Sequence, residues 1–146
     1  MPTTVREAEP SYIGPAFGDA KVYDAMNVGV VTCRRETSLA DVARMMVGYG
    51  MHAVVVSDLA AGERAWGIVT SMDIARVGQE IGSRTAGEVA STELVTVEST
   101  EPLERAARLM AEHHVNHLIV LQPGTDQPAG IITPREIAAA LVYGRS

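Results

Sequence analysis

Apolar positions follow two rhythms along this chain, and the same succession of rhythms occurs twice. Leu39, Val42, Ala43, Met46 and Val47 fall at i, i+3, i+4, i+7 and i+8, the stripe of an amphipathic helix. Leu103, Ala106, Ala107, Met110 and Ala111 reproduce that stripe at an offset of 64. The same offset pairs Val31-Thr32 with Val95-Thr96 and Val54-Val55-Val56 with Leu118-Ile119-Val120. After a one-residue slip the offset is 63, pairing Gly67-Ile68-Val69-Thr70 with Gly130-Ile131-Ile132-Thr133 and Ile74 with Ile137. A slip between two apolar runs is where a loop belongs, so the chain reads as one unit repeated.

Each copy predicts the same elements. A short helix (about Val22–Met26, then Thr85–Val89) leads into an apolar strand (Val28–Thr32, then Leu94–Val97). The amphipathic helix follows, with Ser38 and Thr100 placed to initiate it and Pro102 suited to a first turn. Two further strands come next, Ala53–Ser57 with Ala65–Val69, and His117–Leu121 with Ala129–Ile132. Their runs are nearly continuously apolar, which predicts burial on both faces of a small sheet. Closing helices are expected over Ser71–Gln79 and Pro134–Tyr143, and Gln79–Arg84 reads as the link between copies. The predicted organisation is an arm over 1–20, a first repeat over 21–80 and a second over 81–146, in an α/β (α+β) fold of β-α-β-β-α units. Gly14, Pro15 and Gly18 punctuate the arm, with Tyr12, Ile13 and Phe17 available to pack on the core or a partner.

Composition narrows the function classes. Aromatic residues are only 4% against 47% hydrophobic, so the core must be aliphatic. Eighteen acidic against 12 basic residues give a formal charge of -6, which argues against nucleic-acid or anionic-membrane binding while allowing a local site for one phosphate. Cys33 is the only cysteine, excluding an intrachain disulfide and fitting a reducing compartment. No run of about 18 apolar residues and no signal-like apolar segment appears, so a cytoplasmic protein is expected. Neither a phosphate loop, a Gly-x-Gly-x-x-Gly, nor a Gly-x-Ser-x-Gly elbow occurs, and no enzyme activity is expected.

The repeated Gly67-Ile-Val-Thr-Ser-Met-Asp73 and Gly130-Ile-Ile-Thr-Pro-Arg-Glu136 each stand at the end of the last strand. With Asp24-Ala-Met26 and Gly87-Glu-Val89 in support, the chain resembles a tandem cystathionine-β-synthase (CBS) domain pair, or Bateman module, over about residues 20–143. The resemblance implies two halves related by a pseudo-twofold axis. It implies two clefts able to hold AMP, ADP, ATP or S-adenosylmethionine, with no required cofactor. It also implies homodimerisation and regulation of a separate protein.

The chemistry of the motif can be argued from its residues. Gly67 and Gly130 lack a Cβ, so a planar ring or another backbone can approach closely. Thr70 and Thr133 stand at strand-to-helix junctions, where outward N–H groups favour an anion. Asp73 and Glu136 can accept from a ribose diol, and Arg135 can serve a phosphate. Strand-edge residues Val31, Thr32, Ala53, Val95 and Thr96 complete the candidate lining, with His52 and His117 placed to touch a phosphate. Thr-x-x-acid is equally the spacing of a helix capping box, which satisfies orphan N–H groups without any ligand. Asp73 makes the first repeat the expected better ribose holder; Glu136 is a methylene longer and the better capping residue. His113 and His114 are expected at a helix end rather than in a metal site, and Cys33 as a small, semi-buried hydrophobe. The last helix, apolar on nearly every side, and Met45 and Tyr49 predict a homodimer with helices at its interface.

Overall fold

The computed structural model describes residues 12–58 and 64–145; residues 1–11 of the expected arm and loop residues 59–63 lie outside the described residues. The first repeat contributes α1 (Val22–Ala25), β1 (Asn27–Val28), β2 (Thr32–Cys33), α2 (Leu39–Tyr49), β3 (Ala53–Asp58), β4 (Arg64–Thr70) and α3 (Ser71–Val77). A 3-10 helix over Gly78–Gly82 leads to α4 (Ala86–Val89), β5 (Thr96–Glu98), α5 (Leu103–His113), β6 (Leu118–Leu121), β7 (Pro128–Ile132) and α6 (Pro134–Tyr143). The result is an α+β fold of two sheets, ordered β2-β3-β4 and β1-β7-β6-β5.

Alternation along the strands explains the layers. Val54 and Val56 of β3 face α2 and α3 with Leu39, Val42 and Met46. Leu118 and Val120 of β6 face α5 and α6 with Leu103, Ala106 and Met110. The intervening residues, Ala53, Val55 and Ile119, meet Ile68 and Ile131 between the sheets. A strand buried on both faces has no polar side to show, hence the unbroken apolar runs.

The halves exchange their leading segments. β1 belongs to the first repeat in sequence but pairs antiparallel with β7 of the second, Asn27 opposite Ile131 and Val28 opposite Gly130. Ser91, at the matching place in the second repeat, returns the exchange by hydrogen bonding to Ile68 in both directions at 3.0 Å. The leading helices follow: Val22 of α1 is buried in the second repeat's core and Ala86 of α4 in the first's.

This exchange corrects the single strand expected over Val28–Thr32. Gly29, at φ +84, turns the chain from one sheet to the other, leaving β1 and β2 as two short strands. The second copy's strand begins two residues later than expected, at Thr96. The closing helix of the first copy ends at Val77 rather than Gln79, because Gly78 adopts φ +64. Most of the expected Gln79–Arg84 link is therefore a helical turn. Ser38 caps α2 as expected, accepting from the Asp41 N–H at 3.2 Å. Thr100 does not cap α5; Pro102 holds that place, and Leu103 N–H donates instead to the Ala20 carbonyl at 2.9 Å. In the arm, Tyr12 is buried and Phe17 packs against the second core, whereas Ile13 is exposed. His113 ends α5 and His114 follows in the left-handed region at φ 53, where the first repeat has Gly50.

Candidate functional site

A cavity of about 430 Å³ lies where the exchanged segment around Asn27, the turn after α2 and the start of α6 converge. Of the candidate residues it gathers His52, Ala53, His117, Thr133, Arg135 and Glu136. The local reasons are clear for each. Thr133 and Glu136 close a capping box on α6, with the Thr133 N–H and Oγ1 each donating to Glu136 Oε1 at 2.9 Å. Pro134 at the first position of α6 fixes the helical φ where no N–H is needed. Asn27 Nδ2 donates to the same Oε1 at 3.0 Å, so a residue of the first repeat helps hold the second repeat's acid. Oε1 takes all three bonds, and Oε2 has no hydrogen-bond partner among the described residues. Arg135 is exposed at the lining and forms no ion pair among the described residues.

His117 sits one residue before β6, its Nδ1 2.8 Å from Asn116 Oδ1. Burial pushes its pKa below the ordinary histidine value. His52 pushes the same way, while the carboxylates of Glu136 and Asp73 oppose the shift. The paired registers Val54–Val69 and Leu118–Ile132 make Ala53 the first repeat's equivalent of His117. His52 corresponds to Asn116, so the two cavity histidines are not equivalent positions of the repeat.

The other candidates lie elsewhere. Thr70 and Asp73 form their own capping box, with the Thr70 N–H and Oγ1 donating to Asp73 Oδ2 at 2.8 and 3.0 Å. Asp73 Oδ1 has Arg76 Nη1 at 3.8 Å. Both oxygens thus have protein partners, whereas Glu136 Oε2 has none among the described residues. The two glycines admit backbone. A Cβ on Gly130 would stand 2.2 Å from the Asn27 carbonyl oxygen, and one on Gly67 would stand 3.0 Å from Ala90 Cβ and the Ser91 oxygen. Val31 and Val95 pack into the two helix-facing cores, and Thr32 is exposed on β2. Thr96 lines a second cavity of about 360 Å³ with Trp66 and Asp126. Arg35 stacks 4.0 Å above that Trp66 and pairs with Asp58 at 3.0 Å. Cys33 is buried, and burial pushes its thiol up to about 11, so it behaves as a hydrophobe.

Sequence reasoning missed Asn27, Asp24, Met51 and Tyr12 in the cavity wall. Asn27 directly follows the Asp24-Ala-Met26 signature, but only the exchange of segments carries it to Glu136. Among the described residues, no group of three or more His, Cys, Asp or Glu side chains is placed to hold a metal ion. Nor, among them, is any helix long and apolar enough to cross a membrane.

Comparisons with known proteins agree with this architecture. The CBS domain family model matches residues 22–80 and again 86–143. The chain belongs to the CBS domain family, as a tandem pair. Homoserine O-acetyltransferases of Methanosphaerula palustris and Methanosalsum zhilinae are 33% identical over 100 residues and 31% over 126. The matches cover 68% and 86% of this chain but 20% and 25% of the two enzymes, so the chain spans a quarter or less of their length. An uncharacterised conserved protein of Pyrococcus horikoshii superposes with a TM-score of 0.72 at 22% identity, covering 84% of this chain and 92% of that one. A CBS domain pair solved in complex with 5′-methylthioadenosine and S-adenosyl-L-methionine gives the same TM-score and identity, covering 82% of this chain and 93% of that one.

Proposed function

We propose that this chain is a ligand-sensing regulatory module, not an enzyme, that binds an adenosine-containing molecule in the cavity beside α6. AMP, ADP, ATP and S-adenosylmethionine are the candidate ligands. The observation that carries the reading is the convergence of Glu136, Thr133, Arg135, His52 and His117 on one cavity of about 430 Å³, a volume suited to a small molecule. In this reading Glu136 Oε2 accepts from the ribose diol. Arg135 and the start of α6 receive a phosphate, and Ala53 and Met51 flank the base. The complex of a same-fold CBS pair with 5′-methylthioadenosine and S-adenosyl-L-methionine supports the ligand class. The enzymes matched at a quarter or less of their length supply no reason to place transferase chemistry in this segment. Regulation would fall on a separate protein, in the cytoplasm, without nucleic acid or membrane.

In this reading residues 21–80 and 81–146 are the two repeats of the module and residues 1–20 its arm. Homodimerisation through α2 and α6 is supported by their uncovered apolar side chains: Val47 is 84% exposed, Tyr49 70%, Leu141 62% and Val142 72%. A purely structural dimerisation module is the second reading. It is favoured by the two capping boxes, which account for both Thr–acid pairs without a ligand.

A thermal-shift titration with AMP, ADP, ATP and S-adenosylmethionine separates the readings. A ligand that binds only the folded state adds about 2.7 kcal/mol at 100 times its dissociation constant. The expected result is a shift with at least one of the four, and none with any of them selects the structural module.

A further inference from the structure

We propose that His117 is the residue by which this cavity chooses the charge of its ligand, taking a proton from solvent as a phosphate-bearing adenosine ligand enters. The inference rests on the assignment of this cavity as the adenosine site and deepens it to a ligand class.

The lining's charge depends on its histidines. Asp24 and Glu136 contribute two negative charges and Arg135 one positive. With His52 and His117 neutral the lining is therefore net negative, which opposes an anion. Protonating one histidine cancels this, and protonating both makes the lining net positive. Lining of one sign raises the local concentration of the opposite ion. The choice between an anionic nucleotide and a cationic sulfonium compound thus turns on these two imidazoles.

His117 is the better placed of the two. It is half-buried, whereas His52 is exposed. It occupies the position where the first repeat has Ala53, a methyl group that cannot titrate, and both residues line the cavity. In the tautomer that donates from Nδ1 to the Asn116 Oδ1 2.8 Å away, Nε2 is the atom that gains the proton. The charged groups that act on the ring are Glu136 on α6, His52 just before β3 and, from outside the lining, Asp73 on α3, while Asp24 and Arg135 share the cavity wall with it. Burial and His52 disfavour the charged ring, and the two carboxylates favour it. A phosphate in the cavity adds a third negative group, tipping that balance towards imidazolium.

Calorimetric titrations with adenosine, AMP and S-adenosylmethionine at about pH 6 and about pH 8, on wild type and His117→Gln, test the proposal. AMP affinity should rise on acidification, by up to about tenfold per pH unit for one linked proton. A phosphate's own second proton titrates near about pH 6, so the readout is the difference in slope between the two proteins. Adenosine should show no slope, and S-adenosylmethionine should bind more weakly than AMP at the lower pH. A second measurement does not depend on the variant folding: the His117 ring proton, followed by NMR, should titrate at higher pH with AMP present than without.

Equal AMP slopes in both proteins, or an unmoved His117 titration in AMP-bound protein, overturn the role of His117 and leave the cavity assignment standing. S-adenosylmethionine binding more tightly than AMP at about pH 6 likewise overturns the selectivity. Failure of all three ligands to bind wild type at either pH overturns the cavity assignment itself.

Discussion

The two repeats share a backbone plan but surround its acid differently. Each ends its last strand in Thr-x-x-acid, and each closes a capping box there. In the first repeat the acid is Asp73, with Thr70 on one oxygen and Arg76 near the other. In the second it is Glu136, whose Oε1 gathers Thr133 and Asn27 and whose Oε2 is left over. The cation moves as well, from Arg76 one turn inside α3 to Arg135 at the start of α6. The first cap is self-contained and the second also lines a cavity, and the two differ in the length of the acid and in the position of the arginine. Sequence symmetry is a guide to fold, and departures from that symmetry are the guide to site.

The largest expected break in this comparison concerns the glycines. Gly130→Ala would drive a Cβ to 2.2 Å from the Asn27 carbonyl oxygen, within a two-residue strand pairing that cannot move without losing its hydrogen bonds. Gly67→Ala meets its neighbours at 3.0 Å, a clash relieved by a small shift of Ala90 and Ser91. Denaturant unfolding should show a loss of about 3 kcal/mol for the first and about 1 kcal/mol for the second, at the two ends of the usual overpacking range. Equal losses would mean that the exchange holds the two halves equally tightly.

The acids come next. Glu136→Ala should weaken adenosine-ligand binding at least about tenfold, which is about 1.4 kcal/mol, while Asp73→Ala should change it by no more than about twofold. Calorimetry on both variants gives the answer, and a larger effect from Asp73 would return the ribose site to the first repeat.

The smallest expected effect is on stability against pH, and here the sign matters. His117 in the folded protein titrates below its ordinary value, so near and below about pH 6.5 the unfolded chain binds more protons than the folded one. Ligand-free protein should therefore lose stability as pH falls through about 6.5, levelling off once the folded-state value is passed. His117→Gln should remove that component, and Ala53, its equivalent, supplies none. Thermal melts at a series of pH values measure the difference; a slope of the opposite sign would show the carboxylates, rather than burial, controlling the ring.

How much was legible in advance depended on the range of each interaction. The helical stripes beginning at Leu39 and Leu103 were readable because a helix face is set by residues three and four apart. The Ser38 cap and both capping boxes were readable for the same local reason. Thr100 misled because its position fits a helix start, yet the Leu103 N–H is satisfied by Ala20, over eighty positions earlier in the chain. The strand over Val28–Thr32 misled because an unbroken apolar run carries no mark of changing sheets, and only the left-handed turn at Gly29 divides it.

The sequence by itself determined the duplication, the aliphatic core, the strands buried on both faces and the capped start of α6. Each of these rests on spacing or composition within a few turns of chain. Only the tertiary structure decided that Gly67 and Gly130 make room for the other repeat's backbone, and that Asn27 reaches Glu136 across 109 positions. It likewise decided that His117 stands where the carboxylates of both halves act on it. Those outcomes depend on how two similar sheets dock and trade their leading segments. That geometry is set by the summed packing of both halves, and no local pattern records it.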